Sequence, residues 1–246
     1  MKNVAIVCDV MRSDLTRLNN LNHNDMDFIF LEQHLHDKPD KMREKLQEEI
    51  NRITDDYDKI ILGYGLCSNG IVGLKSKGHE IIVPQVDDCI SLFLGSKEKY
   101  MEEFKKDPAT YYLCKGWIEF GSDPYRGYLV WTDQENKIPE EWFKNKERYG
   151  RKFDEKTARL LSIEMMKNYN RIVLIDNNDI EDIHREYAKN MVNFMSELLN
   201  KQIIYTEIKG SSELLEKLIK GGWEQNNFLR IQPGQEILQK YFINYY

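Results

Sequence analysis

Short, unbroken apolar segments alternate with amphipathic segments along most of the chain, and this alternation constrains the fold more than any other feature. Residues 3–8 (NVAIVC), 58–65 (DKIILGYG) and 171–176 (RIVLID) are rich in β-branched residues and lack the apolar–polar alternation of a half-exposed strand. Residues 39–53 (PDKMREKLQEEINRI) carry apolar side chains three and four positions apart, which is typical of a helix. Strands separated by helices predict a mostly parallel sheet.

We therefore predict one α/β domain over residues 1–246, with a doubly wound, Rossmann-like sheet and helices on both of its faces. Residues 121–150 carry aromatics, prolines and many charges without a clear strand period, and we expect an irregular insertion there that forms a lid or excursion. In such sheets ligands bind beyond the carboxyl ends of the strands, near the point where the strand order reverses. Residues that directly follow strands are therefore the candidates for a site.

The overall charge and hydropathy exclude several classes of protein. A net charge of -6 argues against a general nucleic-acid binder, and acidic residues flank the basic run at 144–152, which is typical of a solvated helix face. No apolar run reaches the roughly 18 residues of a transmembrane helix, and the first strand lacks a signal-peptide cleavage site. We expect a cytoplasmic protein with no nucleic-acid or membrane partner, in which the cysteines stay reduced.

Three of the four cysteines follow predicted strands. Cys8 closes the first strand, Cys67 comes just after the third, and Cys89 comes shortly after the fourth, so all three should meet at one edge of the sheet. The C-x-x-C spacing of zinc ribbons and ferredoxins is absent, but ligands gathered from separate loops leave no local signature. Thiolates prefer soft ions, so the pattern indicates a metal site that holds a [4Fe–4S] cluster with an open iron or a catalytic zinc. Packed thiols and a single reactive cysteine are the alternatives.

The glycine-rich stretch ILGYGLCSNGIVGL surrounds Cys67. It lacks the lysine of a P-loop and the glycine spacing of a dinucleotide fingerprint. Gly65 and Gly70 allow sharp turns or a close backbone approach, and Asn69–Gly70 is a turn signal, so these three residues are the candidate cofactor-binding positions. A strand-to-helix elbow with a helix from about Ser68 would lower the pKa of Cys67. A tight turn around a buried cysteine is the alternative.

Histidines and aspartates follow two other strands. His34 and His36 form an H-x-H pair after the second strand, which could chelate a metal or could be two solvated loop histidines. Asp87 and Asp88 precede Cys89, where one of them should cap a helix and either could act as a base or orient a ligand.

Long motifs resemble the family known as domain of unknown function 1638. LHDKPDKMREKLQEEI, LGYGLCSNGIVGL, VPQVDDCISLFLGSKEKY and TYYLCKGWIE occur in the order and at the intervals of that family, from about Cys8 to about Asp176. The family residues that match this chain are Cys8, His36, Cys67, Cys89 and Glu119.

The chain departs from the family motifs at four positions, and the metabolic setting of the family bears on the expected chemistry. Ser68 and Ala109 replace common glycines, Gln85 stands where an arginine commonly follows the proline, and Cys114 replaces a small polar residue. Gln85 puts an anion-binding role in doubt, and Cys114 is discounted as a shared ligand. The resemblance implies an anaerobic or methanogenic setting beside corrinoid-dependent methyltransferase systems, which suits oxygen-sensitive thiolate chemistry.

We therefore predict a thiolate metal site, with an iron–sulfur cluster favoured over zinc, in anaerobic one-carbon or corrinoid-linked methyl metabolism. Its expected partner is a small-molecule substrate or a corrinoid protein. The predicted metal ligands are Cys8, Cys67 and Cys89, and the candidate catalytic residues are Cys67, His36, Asp88 and Glu119. One alternative is a metal-free enzyme that uses Cys67 as nucleophile or methyl acceptor. Another is a module that binds a small ligand or corrinoid protein without chemistry.

Overall fold

The chain folds into two compact units. The first unit comprises residues 1–100 and 211–246, and the second comprises residues 101–210. The computed structural model describes residues 2–22, 26–143, 149–223 and 227–243. One domain with one sheet was predicted over residues 1–246, whereas the described residues form two sheets, one in each unit.

The strands and helices of the described residues follow one another closely. The strands are β1 (Lys2–Cys8), β2 (Met26–Leu31), β3 (Tyr57–Gly63), β4 (Glu80–Pro84), β5 (Thr110–Leu113), β6 (Arg171–Asp176), β7 (Ile204–Lys209) and β8 (Phe228–Ile231). The α-helices are α1 (Arg12–Leu21), α2 (Pro39–Arg52), α3 (Cys89–Leu94), α4 (Lys97–Lys106), α5 (Lys115–Phe120), α6 (Pro124–Trp131), α7 (Glu155–Met166), α8 (Asp182–Leu199), α9 (Glu213–Lys220) and α10 (Lys240–Ile243). Single turns of 3₁₀ helix cover Asp9–Met11, Leu35–Asp37, Glu135–Lys137 and Glu140–Phe143.

The first unit contains a five-stranded sheet in the order β2-β1-β3-β4-β8. The first four strands are parallel, and β8 pairs antiparallel with β4. Every residue from Val4 to Cys8 is buried, so β1 is covered on both faces, as its unbroken apolar sequence predicts. The mostly parallel α/β fold expected from the sequence is confirmed.

The strand order of this sheet reverses at β1. The chain passes from β1 to β2 on one side and then returns to β3 on the other side. In sheets of this kind the crevice between the carboxyl ends of the two strands at the reversal is where ligands bind. The ends of β1 and β3, which Cys8 and the glycine-rich stretch follow, are therefore the expected ligand edge.

The second unit contains a parallel three-stranded sheet in the order β5-β6-β7. All eight residues of α6 are buried, and the guanidinium of Arg126 donates to the carbonyl oxygens of Gly121 at 2.7 Å, of Trp142 at 2.9 Å and of Ile118. Within the insertion expected at 121–150, the sequence analysis did not predict helix α6. A helix that is buried all round shows no amphipathic period, which explains why it was not predicted. Residues 144–148 of that insertion, and of the basic run at 144–152, lie outside the described residues.

No helix in the described ranges is both long enough and apolar enough to cross a membrane.

Candidate functional site

The three predicted ligand cysteines all lie in the first unit, after parallel strands. Cys8 is the last residue of β1, Cys67 lies four residues beyond the end of β3, and Cys89 is the first residue of α3, after β4. The carboxyl ends of parallel strands meet at one edge of the sheet, so the topology carries all three cysteines to the edge that the strand reversal marks. None of the four cysteines forms a disulfide.

The backbone at Cys67 forms a left-handed turn. Cys67, Ser68 and Asn69 have φ angles of 45°, 55° and 67°. Each left-handed residue other than glycine costs about 1–2 kcal/mol, because Cβ approaches the following carbonyl oxygen. The helix predicted from about Ser68 is wrong: residues 67–73 are turns and β3 connects to β4 without a helix. The strain at the turn indicates a constraint on where the Cys67 side chain lies.

Backbone contacts hold this turn against the segment that leads to Cys89. Leu66 N donates to Val86 O and Cys67 N donates to Asp87 O, each at 2.9 Å. A Cβ on Gly65 would lie 2.9 Å from the backbone nitrogen and Cα of Asp88 and from Val86 O. Only a glycine lets the two segments approach this closely. Gly65 therefore serves the site by positioning backbone.

Helix α2 packs against the other end of the turn. A Cβ on Gly70 would lie 2.5 Å from the sulfur of Met42, and Arg43 Nη2 donates to Asn69 O at 3.2 Å. Asn69 Oδ1 is buried and accepts no hydrogen bond from the described residues. The candidate cofactor-binding positions Gly65, Asn69 and Gly70 thus all shape the turn, and only Asn69 presents a side-chain atom without a partner.

Burial is the main cause of a strongly raised pKa at Cys67. Cys67 is partly exposed as a residue, yet desolvation of its thiol is the largest effect, and the negative charges of Asp88 and Cys8 raise the pKa further. Hydrogen bonds from the backbone of Gly65 and Cys89 oppose this rise without cancelling it. The lowered pKa expected from a helix dipole is therefore wrong, because the turn supplies no dipole and the surroundings are apolar or anionic.

Tyr64 is the functional candidate that the sequence reasoning missed. Its side chain is 4% exposed, and no described residue provides a hydrogen-bond partner for its hydroxyl. Burial raises the pKa of this hydroxyl well above its usual value, and charges on Cys8, Cys67 and Cys89 raise it further. Tyr64 thus lies within electrostatic reach of all three thiols, and its place inside the glycine-rich stretch was the signal that could have identified it.

A second hydroxyl without a partner lies near Cys89. Ser91 in α3 is 1% exposed, and its Oγ has no hydrogen-bond partner within the described part of the chain. Buried polar groups are normally satisfied, because an unpaired one costs about 1–3 kcal/mol. Two such hydroxyls thus lie in the segments that carry Cys67 and Cys89.

The three thiols do not form a close group. Within the described ranges, the only set of three His, Cys or carboxylate ligand atoms within 4.8 Å of one another contains no cysteine. A tetrahedral zinc ion binds thiolates at about 2.3 Å, which places the sulfur atoms about 3.8 Å apart. The sulfur positions of this structure therefore do not fit a single bound ion without movement.

Asp88 caps α3, as the sequence predicts for one of the two aspartates. Its Oδ1 accepts a hydrogen bond from Ile90 N at 2.9 Å. Burial raises the pKa of Asp88 to about 6, although the hydrogen bonds from Ile90, Ser91 and Tyr100 oppose the rise. A carboxyl with a pKa in this range can exchange a proton near neutral pH, which suits the acid–base role predicted for it.

His36 belongs to a separate cluster after β2. Its Nε2 lies 3.4 Å from Asp37 Oδ1, and His34 Nδ1 lies 2.8 Å from Asp37 Oδ2. Burial lowers the pKa of His36, partly offset by Asp37. His36 is thus grouped with His34 and Asp37 and not with the cysteines.

Glu119 lies in the second unit. Its Oε1 accepts a hydrogen bond from the buried His184 at 3.2 Å and lies 3.5 Å from Lys115 Nζ. His184 Nδ1 in turn accepts a hydrogen bond from Glu181 N, so the His184 proton is on Nε2, toward Glu119. Glu119 thus lies in a network with His184 and Lys115 of its own unit. Cys114 is also there, buried at the start of α5.

The chain matches one family model over residues 30–219, that of "Protein of unknown function (DUF1638)". The chain belongs to this family. The matched residues of this DUF1638 protein include Cys67, Cys89, His36 and Glu119, whereas Cys8 precedes them. No curated protein and no solved structure matches the chain.

Proposed function

We propose that the first unit binds a [4Fe–4S] cluster through the thiolates of Cys8, Cys67 and Cys89. The observation that carries this proposal is the Tyr64 hydroxyl, which is buried, lacks a partner among the described residues and lies within electrostatic reach of all three thiols. These groups lie at or shortly after the carboxyl ends of β1, β3 and β4, at the edge where the strand order predicts a ligand.

The electrostatics of the site support a cationic occupant. Asp88 and Cys8 raise the pKa of the Cys67 thiol, and the three cysteines raise the pKa of the Tyr64 hydroxyl. Repulsion between the negative charges raises the pKa of each of these acids. A cation bound among them would offset that repulsion and stabilise their deprotonated forms. Metal binding would then release the thiol protons.

The absence of a close trio of thiols among the described residues argues against a single zinc ion more than it argues against a cluster. In a cluster each thiolate binds a different iron, so the sulfur atoms stand farther apart than they do around one ion. Three cysteine ligands would leave one iron without a protein ligand, and this iron could bind and polarise a substrate. Cys67 and Cys89 are partly exposed while Cys8 is buried, which would leave the open side toward solvent.

The family resemblance extends the proposal to anaerobic one-carbon or corrinoid-linked methyl metabolism. In that setting a small-molecule substrate would bind at the open iron, or a corrinoid protein would dock at this edge. The chain's own groups would assist: Asp88 has a pKa of about 6 and can take or give a proton near neutral pH. Tyr64 would donate a hydrogen bond to a group bound at the site.

A metal-free site is the second candidate function. The unpaired hydroxyls of Tyr64 and Ser91 favour a pocket for a small polar ligand, which needs no metal. Use of Cys67 as a nucleophile or methyl acceptor is disfavoured, because burial and anionic neighbours keep its thiol protonated.

Anaerobic purification followed by iron, zinc and acid-labile sulfide analysis tests the proposal. We expect about four irons and four sulfides per chain, together with a visible absorption band that dithionite bleaches. Cys8→Ala, Cys67→Ala and Cys89→Ala should each lose the cluster. Cys114→Ala removes a buried thiol from the other unit and should retain it.

Two results would contradict the cluster. One equivalent of zinc without sulfide would show that the site binds a single zinc ion. Protein that holds neither iron nor zinc after reconstitution with iron and sulfide would support the metal-free site. Circular dichroism of each variant separates loss of the cluster from loss of the fold.

A further inference from the structure

Two histidines and an aspartate come together in the turn after β2. His34, His36 and Asp37 each place one ligand atom within 4.8 Å of the other two, and they are the only such trio in the described ranges. The turn lies at the same edge of the five-stranded sheet as the carboxyl end of β1, because Leu31 at the end of β2 pairs with Cys8. It uses none of the cysteines.

The local backbone explains why these side chains meet. His34 has a left-handed φ of 71°, and Leu35–Asp37 form one 3₁₀ turn closed by a hydrogen bond from Asp37 N to His34 O at 3.1 Å. Residues three apart in a 3₁₀ turn stand over one another, which brings Asp37 to His34. Pro39 then starts α2 and ends the turn. Histidine is among the residues that tolerate the left-handed conformation best.

The distances within this trio are those of neighbouring ligands around one ion. Asp37 Oδ2 is hydrogen-bonded to His34 Nδ1 at 2.8 Å, a contact that a bound ion would replace, and Asp37 Oδ1 lies 3.4 Å from His36 Nε2. Ligands at about 2.1 Å from an ion are about 3.0 Å apart at octahedral angles and about 3.4 Å apart at tetrahedral ones. The imidazole rings stack with centroids 5.9 Å apart. The side chains of His34 and His36 are 37% and 48% exposed, so an ion in solution can reach both imidazoles.

We propose that His34, His36 and Asp37 bind one divalent transition-metal ion of the Zn²⁺ or Fe²⁺ class. Two imidazoles and one carboxylate are the ligand set of catalytic zinc sites and of non-haem iron sites, and both leave coordination positions open to water or substrate. The exposure of the three side chains leaves those positions facing solvent. This site differs from the thiolate site in its ligand chemistry and does not depend on it.

Titration of the full chain with Co²⁺ tests the inference. We expect one bound ion with visible d–d absorption and no thiolate-to-cobalt charge-transfer band, since nitrogen and oxygen are the ligands. Asp37→Asn and His34→Gln should each weaken Co²⁺ binding by at least about tenfold, because each variant removes a ligand. Mutation of a residue that only supports a ligand already lowers metal affinity by about 10- to 100-fold. Asp40→Asn removes the same charge from an exposed carboxylate three residues away and should bind Co²⁺ as the wild type does.

Each other outcome overturns the site. It is wrong if Asp37→Asn and His34→Gln bind Co²⁺ as tightly as the wild type, or if Asp40→Asn weakens binding equally. It is also wrong if every bound ion shows the thiolate band. Cys67→Ala should leave the nitrogen–oxygen signal unchanged, so failure of the cluster proposal and failure of this one are separable.

Discussion

Replacement of Gly65 with alanine should separate the two backbone segments that carry Cys67 and Cys89. The added Cβ would lie 2.9 Å from three atoms, namely Asp88 N, Asp88 Cα and Val86 O, whereas ordinary contacts begin at 3.4 Å. All three are backbone atoms, so no side chain can rotate away. Residues 86–88 must therefore move by about half an ångström or more.

The expected loss of stability follows from this movement. Overpacking of a close contact costs about 1–3 kcal/mol. The two hydrogen bonds that join the segments, from Leu66 N and Cys67 N, contribute about 1 kcal/mol each and would weaken. We therefore expect the free energy of unfolding of the first unit to fall by about 2–4 kcal/mol.

Hydrogen exchange measured by mass spectrometry suits this test, because peptides from β1, β3 and β4 report on the first unit and peptides from β6 serve as an internal reference. Gly78→Ala is the matched control, since its Cβ would have only Asp55 Oδ1, at 4.0 Å, as a neighbour. That variant should be neutral or gain up to about 1 kcal/mol from a less flexible unfolded chain. Equal protection in Gly65→Ala and Gly78→Ala would refute the argument that glycine is needed for the close approach.

Three further predictions concern the metal-free protein. The pKa of Asp88 is raised from 3.8 to about 6, so the stability it contributes is present below about pH 4 and is lost as the pH rises through about 6. The Asp88→Asn variant keeps the cap. Between about pH 4 and 7 its free energy of unfolding, measured with denaturant, should rise by up to about 3 kcal/mol relative to that of the wild type. A difference that does not depend on pH would contradict this. Iodoacetamide should label Cys67 near neutral pH more slowly than it labels an unfolded peptide, and Asp88→Asn should speed the labelling; labelling at the unfolded rate would revive the nucleophile hypothesis. Tyr64→Phe should stabilise the metal-free chain by about 1 kcal/mol in urea unfolding yet lower cluster retention, since it removes a hydroxyl that lacks a partner among the described residues; lower stability would mean that the hydroxyl is already satisfied.

The local sequence pattern predicted individual strands and a helix cap, but it did not predict how the strands group into sheets. The strand at Arg171–Asp176 and the cap at Asp88 match the prediction, because each depends on neighbours within a few residues. The division into two sheets was missed, since strands on both sides of residue 100 have the same buried, β-branched character. Helix α6 was missed because burial on all sides removes the period that identifies a helix.

The sequence by itself determined at which end of the strands the candidate cysteines lie. A cysteine at the end of a strand in a parallel sheet must reach the ligand edge, because every parallel strand points the same way. The tertiary structure alone decided the properties of those residues. Burial raises the pKa of the Cys67 thiol, the turn at Cys67 is left-handed, the cysteines act electrostatically on the Tyr64 hydroxyl, and His36 pairs with Asp37. Burial, charge and close approach arise from segments distant in the sequence, so no local pattern records them.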